Sequence, residues 1–577
     1  MSTKATFQHA FAGLPRHKKA SDLAALLPLL KAKGYTGIWV ENDYFRLADG
    51  DPMLNPGFGD NWTLFDIFHF TRSRYREAYL AYLRELAELC ATHGLALCMS
   101  FWIPRINSEF LEQLQAENPA AVGVATGYHQ TNGPTLCSCQ GGAGLQVLSE
   151  MIETLFTEVP SIWGLKVATE DNNALLCDDC CPNAAGSTRA EHAGNLYATV
   201  QQALRRVKPD ARLVVYPWFW EAGYVNAVCD RLEDDYLVLT KYESGSLQHL
   251  ESAIPPEPIF DSSIVSDAPG THFLNWSERV GAERIIDMVP VGTGIDDHFL
   301  ANPPYPGRLA RRLRALQKAG VCGFLDFECG GYSKGTAEDV VRLCQEEPDS
   351  SEVALLERLA AERSDDPEVR AHTVRGWQAF DLGFGVLPVG LGGTGRKMFS
   401  GRIGFSWSLC IATPLFPEYI GEERRHEIYW WSPYNLFSPS LAPRLGFHFL
   451  KVLTHWQEAD RALSIAAALA GTSESAQRDA IAARAHLLSL RSVVNFCQAP
   501  VLQQSHPELL PDLMRNELEV TRQFVALYRE HPWIWVNNCW HPHRTPLSQK
   551  LGLGVHPAGT DAFEIKLKAM ECRTGSL

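Results

Sequence analysis

A chain of 577 residues exceeds one ordinary hydrophobic core and predicts two or three domains. Its formal net charge of −15 excludes a general attraction for nucleic acid or for an anionic membrane surface. Hydrophobic residues make up 46% and charged residues 21%, a globular mixture, and no apolar run is long enough to span a bilayer.

In chain order, short apolar runs alternate with helical segments. Phe7 to Phe11 reads as a strand and Ser21 to Lys33 as an amphipathic helix. Thr36 to Val40 is a compact strand that ends in Glu41, Asn42 and Asp43. A helix over Arg74 to His93 leads to a strand over Leu95 to Trp102, and one over Gly144 to Thr157 leads to Ile162 to Ala168. Asn195 to Val207 is helical, followed by strands at Ala211 to Tyr216, Tyr236 to Thr240 and Arg284 to Val289. Arg308 to Ala319 and then Val321 to Phe327 close the series. Apolar runs bounded by turn residues are what a parallel sheet covered on both faces requires. Eight such units predict an α/β fold, a (β/α)₈ TIM barrel over residues 1–347. A doubly wound sheet is the runner-up, but the turn after Phe11 lacks a glycine-rich phosphate loop.

After Glu347 the texture changes to Ala, Leu, Arg and Glu at helical spacing, over Glu352 to Glu362, Glu368 to Leu382, Leu445 to Ala470, Ser475 to Cys497 and Glu508 to Glu530. This predicts a mainly helical C-terminal domain over residues 348–577. Gly390 to Gly395 resembles a phosphate loop but lacks the Lys-Ser/Thr ending, so it reads as a plain loop.

Barrel enzymes carry their chemistry where strands end. Strand ends here are rich in carboxylates: Asp43 after the second, Glu170 and Asp171 after the fourth, Glu243 after the sixth, Asp326 and Glu328 at the eighth. Trp39, Trp102, Trp218 and Trp220 stand near the same ends and predict a stacking platform for sugar rings. Carboxylates around an aromatic mouth point to glycoside chemistry, in which one carboxylic acid protonates the leaving oxygen and another group supplies or directs the nucleophile. Glu170 and Asp171 repel when both are ionised, which raises one pKa as a general acid requires. Glu243, Asp326 or Glu328 is then the partner base or nucleophile. Lys241 (or Arg105) is placed to pair a carboxylate or sulfate on the substrate, beside Tyr242 and Asp43.

Cys137 and Cys139 lie before the fourth strand, and Cys177 and Cys180 after it. Two such pairs suit a tetrahedral structural zinc that would pin the loop after Asp171, while catalysis itself is expected to need no cofactor. Reduced buried thiols are the plainer reading. Fifteen cysteines and no apolar export stretch near Met1 predict a cytoplasmic setting. His9, His272, His298, His541 and His543 are isolated and read as structural.

Ile162 to Asp171 resembles the fourth-strand motif of the glycoside hydrolase group containing the family 67 α-glucuronidases and the family 20 and 84 hexosaminidases. Asn195 to Leu204, Leu213 to Trp218 and Leu237 to Tyr242 extend the likeness, and the Cys-x-x-Cys after the acidic pair resembles one in uncharacterised bacterial relatives. The α-glucuronidase pattern implies Glu170 as general acid. The hexosaminidase pattern implies Glu170 as the residue that orients an acetamido group, Asp171 as the acid and Tyr242 as an assistant to the acetamido oxygen, although the acids there run in the order Asp before Glu or Asp-Asp. The expectation is an exo-acting hydrolase of oligosaccharides or glycosides whose terminal sugar is an N-acetylhexosamine or a uronic acid, with a homodimer left open. Two alternatives stand beside it: a metal-dependent barrel lyase or isomerase using Asp43, Glu170, Asp296 and His298, and a carbohydrate-binding barrel without turnover.

Overall fold

The computed structural model describes residues 7–13, 20–40, 67–73, 75–103, 108–126, 132–137, 139, 142–169, 186–217, 222–248, 257–258, 264, 266, 268–292, 300, 302–326, 335–387, 442–534, 567 and 570–571. Barrel strands are β1 (His9–Gly13), β2 (Gly37–Val40), β3 (Ala96–Trp102), β6 (Gly164–Ala168), β7 (Arg212–Tyr216), β8 (Leu237–Thr240), β11 (Ile285–Val289) and β12 (Gly323–Asp326). They pair in parallel in the closed order β1-β12-β11-β8-β7-β6-β3-β2. The antiparallel pairs β4 (Val122–Thr126) with β5 (Asn132–Leu136), and β9 (Leu247–Gln248) with β10 (Glu257–Pro258), stand outside it.

Around the barrel run α1 (Leu26–Ala32), α2 (Phe68–Thr71), α3 (Arg76–Thr92), α4 (Ser108–Glu117), α5 (Ala143–Glu158), α6 (Gly186–Val207), α7 (Ala222–Cys229), α8 (Thr271–Val280), α9 (Pro306–Ala319) and α10 (Thr336–Glu346). The C-terminal region is helical: α11 (Glu352–Ala361), α12 (Pro367–Gly385), α13 (Ala442–Leu469), α14 (Glu474–Ser505) and α15 (Leu510–Glu530). The chain is thus a (β/α)₈ barrel followed by helices, and each of the eight apolar runs of the sequence supplies one barrel strand.

Alternation along the strands divides the core in two. Phe11, Trp39, Cys98, Ala168, Val214, Tyr216, Leu239, Ile286, Met288 and Leu325 fill the barrel. Ile38, Leu97, Val167, Val215, Val238, Val289 and Phe324 face outward into a second cluster with Leu148, Leu196, Leu309 and Val340 of the helices. That cluster runs on into Trp377, Phe380 and Trp456, so one continuous apolar layer joins barrel and C-terminal helices. The Phe380 ring stacks on Trp456 with centroids 4.5 Å apart. Polar contacts reinforce the junction: Asp479 of α14 accepts from Thr336 of α10, Arg363 and the Trp377 indole. The barrel floor is tight, since a Cβ on Gly37 would lie 2.4 Å from the Phe11 ring.

Candidate active site

Three neighbouring strands build the centre of the candidate site. On β6 the apolar residues Leu165 and Val167 belong to the outer cluster, which leaves Lys166 between them pointing into the barrel. On β8 the same alternation turns Lys241 inward, just past Thr240. Both lysines are almost wholly buried, at 0% and 1% exposure. Between them Tyr216 of β7 presents its ring: Lys166 Nζ lies 4.9 Å from the ring centroid and Lys241 Nζ 5.9 Å. Lys166 Nζ also lies 4.2 Å from the Trp39 ring centroid. Aromatic faces offset part of the cost of holding an ammonium group away from water. Tyr216 is fixed in turn, its hydroxyl donating to Met288 Sδ at 3.8 Å. Ser100, paired in register with Lys166, is buried, and its hydroxyl has no hydrogen-bond partner among the described residues. The Cys98 thiol, one step deeper, is pushed up to about 12 by burial, against the opposing pull of Lys166.

The strand ends are held from behind. Tyr197 of α6 donates to the carbonyls of Val167 at 2.9 Å and Tyr216 at 3.3 Å. The half-buried His272 on the first turn of α8 accepts from the Lys241 N–H through Nδ1 at 3.4 Å and sets Nε2 3.2 Å from the Pro217 carbonyl. His272 therefore bridges the ends of β7 and β8 rather than standing alone.

Several residues expected at the mouth lie elsewhere. Glu243 is fully buried behind β8 in an ion pair with Arg312 of α9, 2.8 Å apart, and accepts from the Ser266 N–H at 2.9 Å. Asp326 faces outward as well, accepting from the Val291 N–H at 3.0 Å and from the Tyr35 hydroxyl at 3.4 Å. Asp326 faces away from the interior because alternation along β12 turns its neighbour Leu325 inward, whereas Glu243 is carried to the helix layer by the tight turn after β8, where the Ser244 N–H donates to the Lys241 carbonyl at 3.1 Å. Tyr242 packs on Phe273 of α8 with ring centroids 4.9 Å apart, and the Arg312 guanidinium lies 4.8 Å from its ring, so the ring is on the helix side of the wall. Trp39 is inside the barrel but wholly buried, with its indole donating to the Asp326 carbonyl at 3.0 Å. Its face meets Lys166 instead of an open sugar platform. His9 lies at the opposite end, the start of β1, against Phe11 and Trp163. Burial, with the nearby Arg212 charge, lowers its pKa to about 4.

Asp43, Glu170, Asp171, Trp218, Trp220, Glu328, Cys177, Cys180, Asp296, His298 and the Gly390 to Gly395 stretch lie outside the described residues, and of Trp102 only the backbone is described. Cys137 is buried and Cys139 half-buried. No group of three or more metal-ligating side chains occurs among the described residues.

Sequence reasoning missed Lys166, Arg312 and Asp287. The signal for two of them was visible: a charged residue in the middle of an otherwise apolar strand, Leu-Lys-Val on β6 and Ile-Asp-Met on β11. Asp287 is fully buried, accepts from Thr240 Oγ1 at 2.9 Å and lies 3.9 Å from Arg312. Its carboxyl is pushed from 3.8 to about 7 by burial, opposed by Arg312 and Thr240 and helped by Glu243.

Among solved structures, a GH138 enzyme targeting pectin rhamnogalacturonan II superimposes with a TM-score of 0.57 at 9% identity, over 99% of this chain and 83% of that one. The likeness is one of fold, a (β/α)₈ barrel followed by helices. A family 89 glycoside hydrolase from Clostridium perfringens in complex with PUGNAc gives a TM-score of 0.49 at 11% identity, over 98% of this chain and 59% of that one. A Thermobaculum terrenum O-GlcNAc hydrolase gives 0.42 at 10% identity, over 99% and 95%. No family model and no curated protein matches the sequence. No helix among the described residues is long and apolar enough to cross a membrane.

Proposed function

We propose that the protein is an exo-acting glycoside hydrolase that removes a terminal sugar of the uronic acid or N-acetylhexosamine type from an oligosaccharide or glycoside. The observation that carries this reading is the pair of buried ammonium groups, Lys166 from the middle of β6 and Lys241 from just past β8, on either side of Tyr216 at the C-terminal end of β7, in a barrel similar in fold to a GH138 enzyme. Barrel enzymes react substrates at that end. A sugar carboxylate arriving there meets cations in a low-dielectric setting, where charge-assisted hydrogen bonds are strongest. The lysine pair therefore favours the uronic acid over the N-acetylhexosamine. Glu170 and Asp171 follow β6, the strand that bears Lys166, and share the general acid role in this reading. With Glu243 and Asp326 engaged behind the wall, Glu328 is the base or nucleophile it favours.

A panel of chromogenic glycosides tests it, with uronides and N-acetylhexosaminides side by side. Turnover of one uronide is expected, lost on Glu170→Gln or Asp171→Asn and lowered about 100-fold by Lys166→Met or Lys241→Met, the scale of removing one member of a buried charge interaction. Full turnover in both lysine variants would overturn the anion-binding reading.

The four cysteines are proposed to hold a structural zinc. Cys137 and Cys139 sit on a turn that supports this: the Gly142 N–H donates to the Cys139 carbonyl at 2.8 Å, and a Cβ on Gly144 would lie 2.3 Å from the Cys137 carbonyl. Elemental analysis is expected to find about one zinc per chain, absent from Cys137→Ser and from Cys177→Ser. Zinc-free wild-type protein that is folded would remove the metal from the account.

A further inference from the structure

We infer that the buried charges behind β8, namely Glu243, Arg312 and Asp287, form with His272 a strut that positions Lys241 in the barrel mouth. Its bearing on turnover rests on the reading of Lys241 as the ligand of a substrate anion; the positioning itself does not.

Lys241 turns inward between Thr240 and Tyr242, and both neighbours are anchored outward. Thr240 donates to Asp287 at 2.9 Å. The Tyr242 ring is held between Phe273 and the Arg312 guanidinium. One residue on, Glu243 pairs with Arg312 at 2.8 Å, and Arg312 donates to the Ser266 carbonyl at 3.1 Å. The backbone is held as closely. Lys241 N–H donates to His272, the Ser244 N–H donates to the Lys241 carbonyl at 3.1 Å, and the Gly270 N–H donates to the Tyr242 carbonyl at 2.6 Å. A Cβ on Gly270 would lie 2.0 Å from the Ser244 carbonyl, and Gly245 has a φ of +86°, so this turn admits little movement.

Three buried charges are a poor means of stabilising a fold, since apolar residues of similar volume do as well or better. What the charges add is direction. Each holds a different side of the short segment that carries Lys241. Around Asp287 the facing groups are Thr240 and Glu243 from β8 and the turn after it, Arg312 from α9, and the apolar Phe324 beside it on β12. With its carboxyl near 7, the strut carries a charge balance that shifts close to neutral pH.

Amine labelling reads the position directly. The full chain is reductively methylated with formaldehyde and cyanoborohydride, and the rates at Lys241 and Lys166 are followed by peptide mass spectrometry. Glu243→Gln keeps the shape of the side chain and removes its charge, and Arg312→Lys is the second variant. Lys241 is expected to label about ten-fold faster in a folded variant, as local opening of that segment would give, while Lys166, two strands away on β6, stays protected. Lys241 staying as protected as in the wild type overturns the inference. So does a rise at Lys241 and Lys166 together, which marks general loosening rather than lost positioning. Selective labelling in a protein that turns over no uronide would retire the substrate reading and leave the strut standing.

Discussion

The two faces of the barrel wall carry opposite chemistry. Inward, Lys166 in the middle of β6 and Lys241 just past the end of β8 stand among aromatic rings. Outward, the carboxylates Glu243 after β8, Asp287 on β11 and Asp326 on β12 are locked to Arg312, Thr240, Val291 and Tyr35. A strand end rich in Asp and Glu thus does not by itself make an acidic mouth. Alternation sends neighbouring residues to different surroundings, and in this wall the described carboxylates went to the structural side.

The largest effect that tests this division is expected on the outer face. Arg312→Met leaves Glu243 and Asp287 buried without their cation and is expected to cost about 3–5 kcal/mol in urea unfolding. A loss below about 1 kcal/mol would show that the outer charges are not coupled as the geometry has them.

A smaller effect concerns pH. The Asp287 pKa is raised from 3.8 to about 7 in the fold, so its contribution to stability is fully present below 3.8 and is lost as pH rises to about 7. Thermal unfolding of Asp287→Asn across that window is expected to lack this decline. An unchanged slope would assign the pH dependence to another group.

The smallest lies at the barrel floor. His9 is held neutral with its pKa lowered from 6.5 to about 4, so it contributes stability above 6.5 that is lost as pH falls to about 4. His9→Gln is expected to flatten that acid-side loss while glycoside turnover is retained. Lost turnover would mean that the floor, as well as the mouth, governs the site.

Much of the fold was legible in the sequence. Apolar runs such as Ile162 to Ala168 and Ile285 to Val289 identify strands because a barrel wall buried on both faces tolerates few polar side chains. The candidate site was legible only in part. Lys241 was found because it ends a strand, whereas Lys166 was passed over inside one, although a lysine in a buried strand needs a reason to be there. Glu243, Tyr242 and Asp326 were placed at the mouth by proximity in sequence to strand ends, and that proximity says nothing about which way a side chain turns.

By itself, then, the sequence determined the eight-fold repeat of strand and helix and the helical region that follows, since local periodicity and burial demand are properties of each segment. The tertiary structure alone decided which charges share a space. Arg312 reaches Glu243 from 69 residues away in the chain (312 − 243) and Tyr35 reaches Asp326 from 291, and no local pattern records such a meeting. Closing the barrel brings those segments together and turns a row of acidic residues into an outer brace around a basic interior.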